Sequence, residues 1–162
     1  MMQYSDIIFG DQNEWEVASG VPHIPFEAFD ANYEIDADAY LAYFRKMHKL
    51  FPKCKKMVMA VRNQIASSHH TLSGLLYDAV EDKLYTTRIY DIQPIIDPMG
   101  VGDAFVAAYI HAHQKWGDEN QYCLDFALSA SAIKNTVPGD QNLVSEEEII
   151  NNMTSSGGRI QR

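Results

Sequence analysis

The stretch Asp97-Pro98-Met99-Gly100-Val101-Gly102-Asp103-Ala104-Phe105-Val106-Ala107-Ala108-Tyr109-Ile110 decides the reading of this chain. Two glycines flank Val101 where a strand is expected to pass into an apolar helix running from Ala104 to Lys115. Glycine lets backbone approach a ligand with no Cβ in the way. The first N–H groups of a helix lack intrahelical acceptors, and the helix dipole adds partial positive charge there. Gly100, Val101 and Gly102 therefore form a candidate anion pocket, suited to the charge that builds on a phosphoryl group during transfer. Asp103 stands at its rim as a candidate general base, a role typically worth about 10²–10⁴-fold in rate. The competing reading is a common turn with Asp103 as a plain N-cap. The G-x-x-x-x-G-K-[ST] phosphate loop does not occur, and Phe105 stands where the dinucleotide fingerprint needs its third glycine.

Working outward, strands and helices alternate. Asp6 to Phe9 reads as a short buried strand ended by Gly10, with a helix expected from Gln12 to Ser19. Residues 21–35 carry two prolines and no clean period, as a loop or surface insertion would. Asp36 can cap a helix whose stripe is Tyr40, Tyr43, Phe44, Met47, Leu50 and Phe51, stopped by Pro52. The continuous apolar run Met57 to Val61 is typical of a parallel-sheet interior, with Arg62 closing it. Leu72–Tyr77 and Leu84–Tyr90 suggest a hairpin around Glu81-Asp82-Lys83, and His69 and His70 before it read as loop residues. Another helix is expected from Glu119 to Lys134. Ser145 and Glu148 have capping-box spacing for a last one, and a polar tail from Asn151 is expected to fray. The pattern predicts an α/β fold with a mostly parallel sheet. The chain opens almost directly on a core strand, which suggests part of a longer polypeptide.

Composition narrows the partners. With 162 residues there is room for one α/β domain. A net charge of −9 disfavours nucleic acid and anionic membrane surfaces, yet local backbone dipoles can still hold a small anion. No apolar run reaches bilayer length and no signal segment is apparent, so the expected location is the cytoplasm. Cys54 and Cys123 lack metal-ligand spacing and read as free thiols.

The segment from Asp97 resembles the C-terminal signature of the ribokinase-like (PfkB) carbohydrate kinases, D-[TP]-x-G-A-G-D-x-F-x-A-G. Val101 replaces the usual alanine and Ala108 the usual glycine. Asp11-Gln12-Asn13-Glu14 is similar to that family's N-x-x-E element near magnesium and phosphates. Glu14 matches directly, Asp11 falls where asparagine is usual, and Asn13 is the out-of-register alternative. Asp11 and Glu14 also fit a capping box. Arg62 is similar to an arginine at this strand end in some ketodeoxygluconate kinases. It could contact phosphate, with a surface ion pair as the plain alternative. The run Ala132 to Ser145 resembles the "KHTIPGDFNLVS" segment of 2-keto-3-deoxygluconate kinases, which carries a substrate-site aspartate onto Asp140.

The resemblance covers Asp6 to about Ile150 and only the latter half of a family member. It implies a ribokinase-like three-layer α/β/α sandwich without its N-terminal strands and lid, residues 1–162 being the C-terminal nucleotide-binding part of one kinase domain. It also implies ATP and Mg²⁺ as cofactors, a small sugar acid as substrate, and homo-oligomerisation through the absent lid region. Asp103 would be the base and Gly100–Gly102 the anion hole. Arg62 would bind nucleotide, Asp140 substrate, and Glu14 with Asp11 the metal indirectly. The alternatives are a fructokinase- or ribokinase-type enzyme and a catalytically silent nucleotide-binding fragment. A metal-dependent phosphohydrolase using Asp97 and Asp103 ranks last.

Overall fold

A computed structural model describes residues 2–26, 28 and 30–155. After a short 3₁₀ turn the elements are β1 (Ile7–Gly10), α1 (Gln12–Ser19), α2 (Ala37–Leu50), β2 (Lys56–Ala66) and β3 (His69–Asp78). Then follow β4 (Lys83–Thr86), β5 (Tyr90–Ile92), α3 (Val101–Trp116), α4 (Asn120–Lys134) and α5 (Glu146–Thr154).

Local chemistry explains the helix boundaries. Asp11 accepts from the N–H groups of Asn13 and Glu14, and Glu14 Oε2 accepts from the Asp11 N–H, so the capping box at α1 is complete. Gly20 ends α1 in the left-handed region. Asp36 caps α2 through the Ala39 N–H, and Ser145 and Glu148 form the second capping box at α5. The α5 helix continues through Thr154, so the tail expected from Asn151 is helical at first; residues 156–162 lie outside those described.

The sheet runs β1-β2-β3-β4, and β5 pairs with β3 beyond the end of β4. It is mixed, which corrects the expectation of a mostly parallel sheet. Among the described residues β1–β2 is the parallel pair, while β2–β3, β3–β4 and β3–β5 are antiparallel. A continuous apolar run reports burial on both faces and carries no information on strand direction. Met57, Met59 and Val61 pack toward α1 and α2, whereas Val58 and Ala60 pack toward α3, α4 and α5. Direction is set at Ser67-Ser68, where a tight turn can join only antiparallel neighbours.

β2 is therefore longer than the apolar run. It continues through Ala66, with Arg62, Asn63 and Gln64 paired to Leu72, Thr71 and His70. Arg62 sits within the strand, not at its end, because the strand projects beyond the core there. His69 and His70 belong to β3, not to a loop; His69 Nε2 lies 2.5 Å from Asp91 Oδ1, and His70 is buried. The expected hairpin around residues 81–83 is present, held by Asp78 Oδ1 accepting from the Val80 and Glu81 N–H groups.

Two apolar cores lie on opposite faces of the sheet. Trp15, Tyr43, Phe44, Met47 and Tyr77 centre one, and Tyr109, Leu124, Phe126, Leu128 and Leu76 the other. The architecture is thus a three-layer α/β/α sandwich. Both cysteines are buried and free, and burial pushes the Cys54 thiol up to about 11. No helix among the described residues is long and apolar enough to cross a membrane.

Candidate active site

The C-terminal end of β1 faces the N-terminus of α3, and a cavity of about 340 Å³ opens between them. Open α/β sheets bind ligands at this end of their strands. The lining comprises Phe9, Gly10, Asp11, Glu14, Ala60, Gly102, Asp103, Phe105 and Val106. Residues far apart in sequence, Asp11, Glu14, Gly102 and Asp103, are thereby brought together. Arg62 lies apart from them, on a second cavity of about 170 Å³ shared with Gln12, Asn13, His23, Phe26 and Val61. Asp11 and Ala60 line both cavities, so the two adjoin.

α3 begins at Val101, earlier than expected, so Val101, Gly102 and Asp103 form its first turn and Gly100 is the N-cap. Gly100 has φ 73° and provides no side-chain cap. Asp103 makes no hydrogen bond or ion pair among the described residues and is exposed, which sets aside the plain N-cap reading. Its carboxylate is available to the cavity, beside the uncapped N–H groups of the turn.

The strand expected ahead of this turn ends at Ile92, and an irregular segment containing a cis Gln93–Pro94 bond leads into it. That segment is anchored from below. The Ile96 and Asp97 N–H groups both donate to Asn135 O. Asp97 Oδ1 accepts from the Met99 N–H at 3.0 Å and Oδ2 from the Gly139 N–H at 2.8 Å. The Met99 and Gly139 amides, with the positive charge of Lys134 behind them, hold the Asp97 carboxyl below the usual range. Both oxygens of Asp97 thus join two turns, and Asp97 lines neither cavity, so it does not stand with Asp103 as the pair of a phosphohydrolase would. The junction sets Asp140 against Gly100, so closely that a Cβ on Gly100 would lie 2.2 Å from Asp140 O. The Asp140 side chain is exposed and does not line either cavity.

Among the described residues no cluster of three or more His, Cys, Asp or Glu side chains could hold a metal. Asp11 and Glu14 each keep one carboxylate oxygen outside the capping box. Such a pair fits a largely hydrated Mg²⁺, which commonly uses one or two protein carboxylates and retains its waters. The neighbouring cavity has its own charges. Arg62 has no ion-pair partner among the described residues, while His23 pairs with Glu16 and holds that carboxyl below its usual range.

Sequence reasoning missed Phe9, Ala60 and Val106 as walls of the main cavity, and His23 and Phe26 as walls of the smaller one. Ala60 was legible in principle, since it shares a strand face with Arg62 two residues on. Nothing local signals His23 and Phe26, which arrive through the irregular 21–35 segment. Asn63 fastens that segment by exchanging hydrogen bonds with the backbone N–H and carbonyl of Ala28.

No family model matches the chain, and no curated protein does. Solved structures do. A 2-dehydro-3-deoxygluconokinase from Thermotoga maritima superposes with a TM-score of 0.78 at 24% identity, over 95% of this chain and 43% of its own. A PfkB family carbohydrate kinase from Listeria grayi gives 0.74 at 25% identity, over 95% and 42%. A protein from Enterococcus faecalis, designated a candidate 2-keto-3-deoxygluconate kinase, gives 0.71 at 19% identity, over 99% and 44%. The chain spans less than half the length of each of these neighbours. Layer order, sheet pairing and these likenesses agree that the chain has the fold of the ribokinase-like carbohydrate kinases.

Proposed function

We propose that the chain forms the nucleotide-binding and phosphoryl-transfer part of an ATP-dependent sugar kinase, with 2-keto-3-deoxygluconate as the favoured acceptor. The observation that carries this reading is the unpartnered Asp103 carboxylate on one cavity with Gly102, the uncapped α3 N-terminus, Asp11 and Glu14. Phosphoryl transfer demands mainly positioning and electrostatic stabilisation, and these groups provide both. The backbone N–H groups of the Gly100–Gly102 turn receive the charge on the transferring phosphoryl group. Asp103 takes the proton of the attacking hydroxyl. Arg62 contacts nucleotide phosphate from the adjoining cavity, and Asp140 reaches the substrate from the turn against Gly100. Glu14 and Asp11 would hold a hydrated Mg²⁺ through their free oxygens, and the ion would supply neutralisation of charge on the phosphates.

The acceptor is supported by the Lys134–Ser145 segment and by the names of the neighbours from Thermotoga maritima and Enterococcus faecalis. A fructose- or ribose-type acceptor is the alternative within the same chemistry. A second reading, in which the chain binds nucleotide without completing transfer, is favoured by its spanning only 43% of the Thermotoga maritima kinase. The isolated chain is accordingly expected to bind Mg·ATP and to turn over little.

Asp103→Asn is the test. In the longest polypeptide or assembly that carries this chain, phosphoryl transfer from ATP to 2-keto-3-deoxygluconate, fructose and ribose would be measured beside ATP binding by calorimetry. The variant should keep near-normal affinity and lose at least about 10²-fold in turnover. Retention of most turnover would eliminate Asp103 as the base, and the acceptor panel separates the three sugars.

A further inference from the structure

Lys134 is the last residue of α4 and is fully buried, with 0% of its surface exposed. Lysine is almost never found fully buried unless it is paired. A cation can complement the C-terminal end of a helix dipole from the surface or from a partly buried position, so that role does not require complete burial. Its ammonium has three donors, and one of them reaches Val137 O at 3.0 Å. The ammonium forms no ion pair among the described residues; from beyond ion-pair range its charge still helps to lower the pKa of the Asp97 carboxyl, which joins the Met99 and Gly139 amides. Lys134 and Asn135 together thus underlie both turns, Lys134 from the Val137 side and Asn135 by accepting from Ile96 and Asp97.

We infer that Lys134 is a positioning residue for the candidate phosphoryl site, an internal cation that holds the 97–100 and 137–140 turns at the separation the anion pocket needs. It acts through Asp97 and the Val137 carbonyl and does not touch the transferring group. This role rests on the proposed kinase function only where it concerns anion binding; the turn-holding itself can be measured without a ligand.

Lys134→Met replaces the ammonium with an apolar side chain of similar volume. The Val137 carbonyl loses its partner, but no buried carboxylate is stranded, because Asp97 is only half-buried and keeps the Met99 and Gly139 amides. Two readouts on the 162-residue chain are needed. Amide hydrogen exchange at Met99 and Gly139 should quicken at least about tenfold in the folded variant, while core amides of β2 and β3 keep their rates. Affinity for inorganic tripolyphosphate, by calorimetry, should fall at least about tenfold. Unchanged exchange at Gly139 would overturn the inference, and so would failure of the variant to fold, since the core is expected to accept the substitution. If the parent chain does not bind tripolyphosphate but exchange at Gly139 still quickens in the variant, the site reading falls and the turn-holding role stands.

Discussion

Replacing Gly102 by alanine should separate stability from binding. Gly102 is the second residue of α3, and a Cβ built on it meets no heavy atom within 4 Å. Alanine is favoured over glycine in helices by roughly 0.5–1 kcal/mol, chiefly through the smaller entropy loss on folding. For a chain of this length that corresponds to a rise in Tm of about 1–4 °C. The same methyl group would project at the wall of the main cavity, where backbone must come close to phosphate. A hydrogen bond to a charged group contributes about 1.5–3 kcal/mol, so losing one should weaken Mg·ATP binding by about 10–100-fold. Circular-dichroism melts and calorimetric titration of Gly102→Ala against the parent read the two effects. An unchanged or lower Tm would show that the space around Gly102 is not open. A raised Tm with parental affinity would show that no ligand approaches this backbone.

Gly100→Ala should behave oppositely. The left-handed backbone costs a non-glycine residue about 1–2 kcal/mol, and displacing the Asp140 carbonyl adds to it, for a total loss of about 3 kcal/mol in urea denaturation; parental stability would contradict the contact. Lys56→Met should cost about 3 kcal/mol by the same assay, because Lys56 Nζ lies 3.4 Å from the buried Asp78 carboxylate. The loss stays at the lower end because Asp78 keeps the amides of Val80, Glu81 and Asn120; parental stability would show that the pair contributes nothing. Acid should unfold the chain through carboxyls held below their usual range. Burial opposes ionisation of Asp78, but the Glu81, Asn120 and Val80 N–H groups and Lys56 outweigh it, while Arg45 and Tyr77 hold Asp82 to about 2. A depressed folded-state pKa stabilises above the unfolded value, so stability should be level down to about pH 4 and fall toward pH 2. Asp82→Asn should flatten that slope in a fluorescence-monitored acid titration, and an unaltered slope would remove Asp82 from the account.

What was legible in the sequence was local. Asp11 with Glu14 and Ser145 with Glu148 announced two helix starts because a capping box is complete within four residues. The stripe from Tyr40 to Met47 announced α2 because one helical face suffices to show it. The glycine turn placed Asp103 and Gly102 on one cavity for the same reason. Tertiary consequences were not legible. The run Met57–Val61 shows two-sided burial but neither the direction of β3 nor the extension of β2 past Arg62, where the strand leaves the core and its pattern turns polar. Asp97 read as a member of a catalytic motif, although its carboxylate is committed to an amide forty-two residues away. Lys134 entered the sequence reading only as the end of an expected helix, because nothing in its neighbours reveals that the Val137 carbonyl folds back onto its ammonium.

α4 also acts as a gauge between distant parts of the chain. It separates the two turns that meet at Gly100 and Asp140, and its 15 residues fix where the second turn arrives. Each residue inserted in a helix rotates the downstream chain by about 100° and advances it by about 1.5 Å. A single insertion after Leu128 would swing the Gly139 amide out of reach of Asp97. Length variation should therefore be forbidden between Asn120 and Lys134.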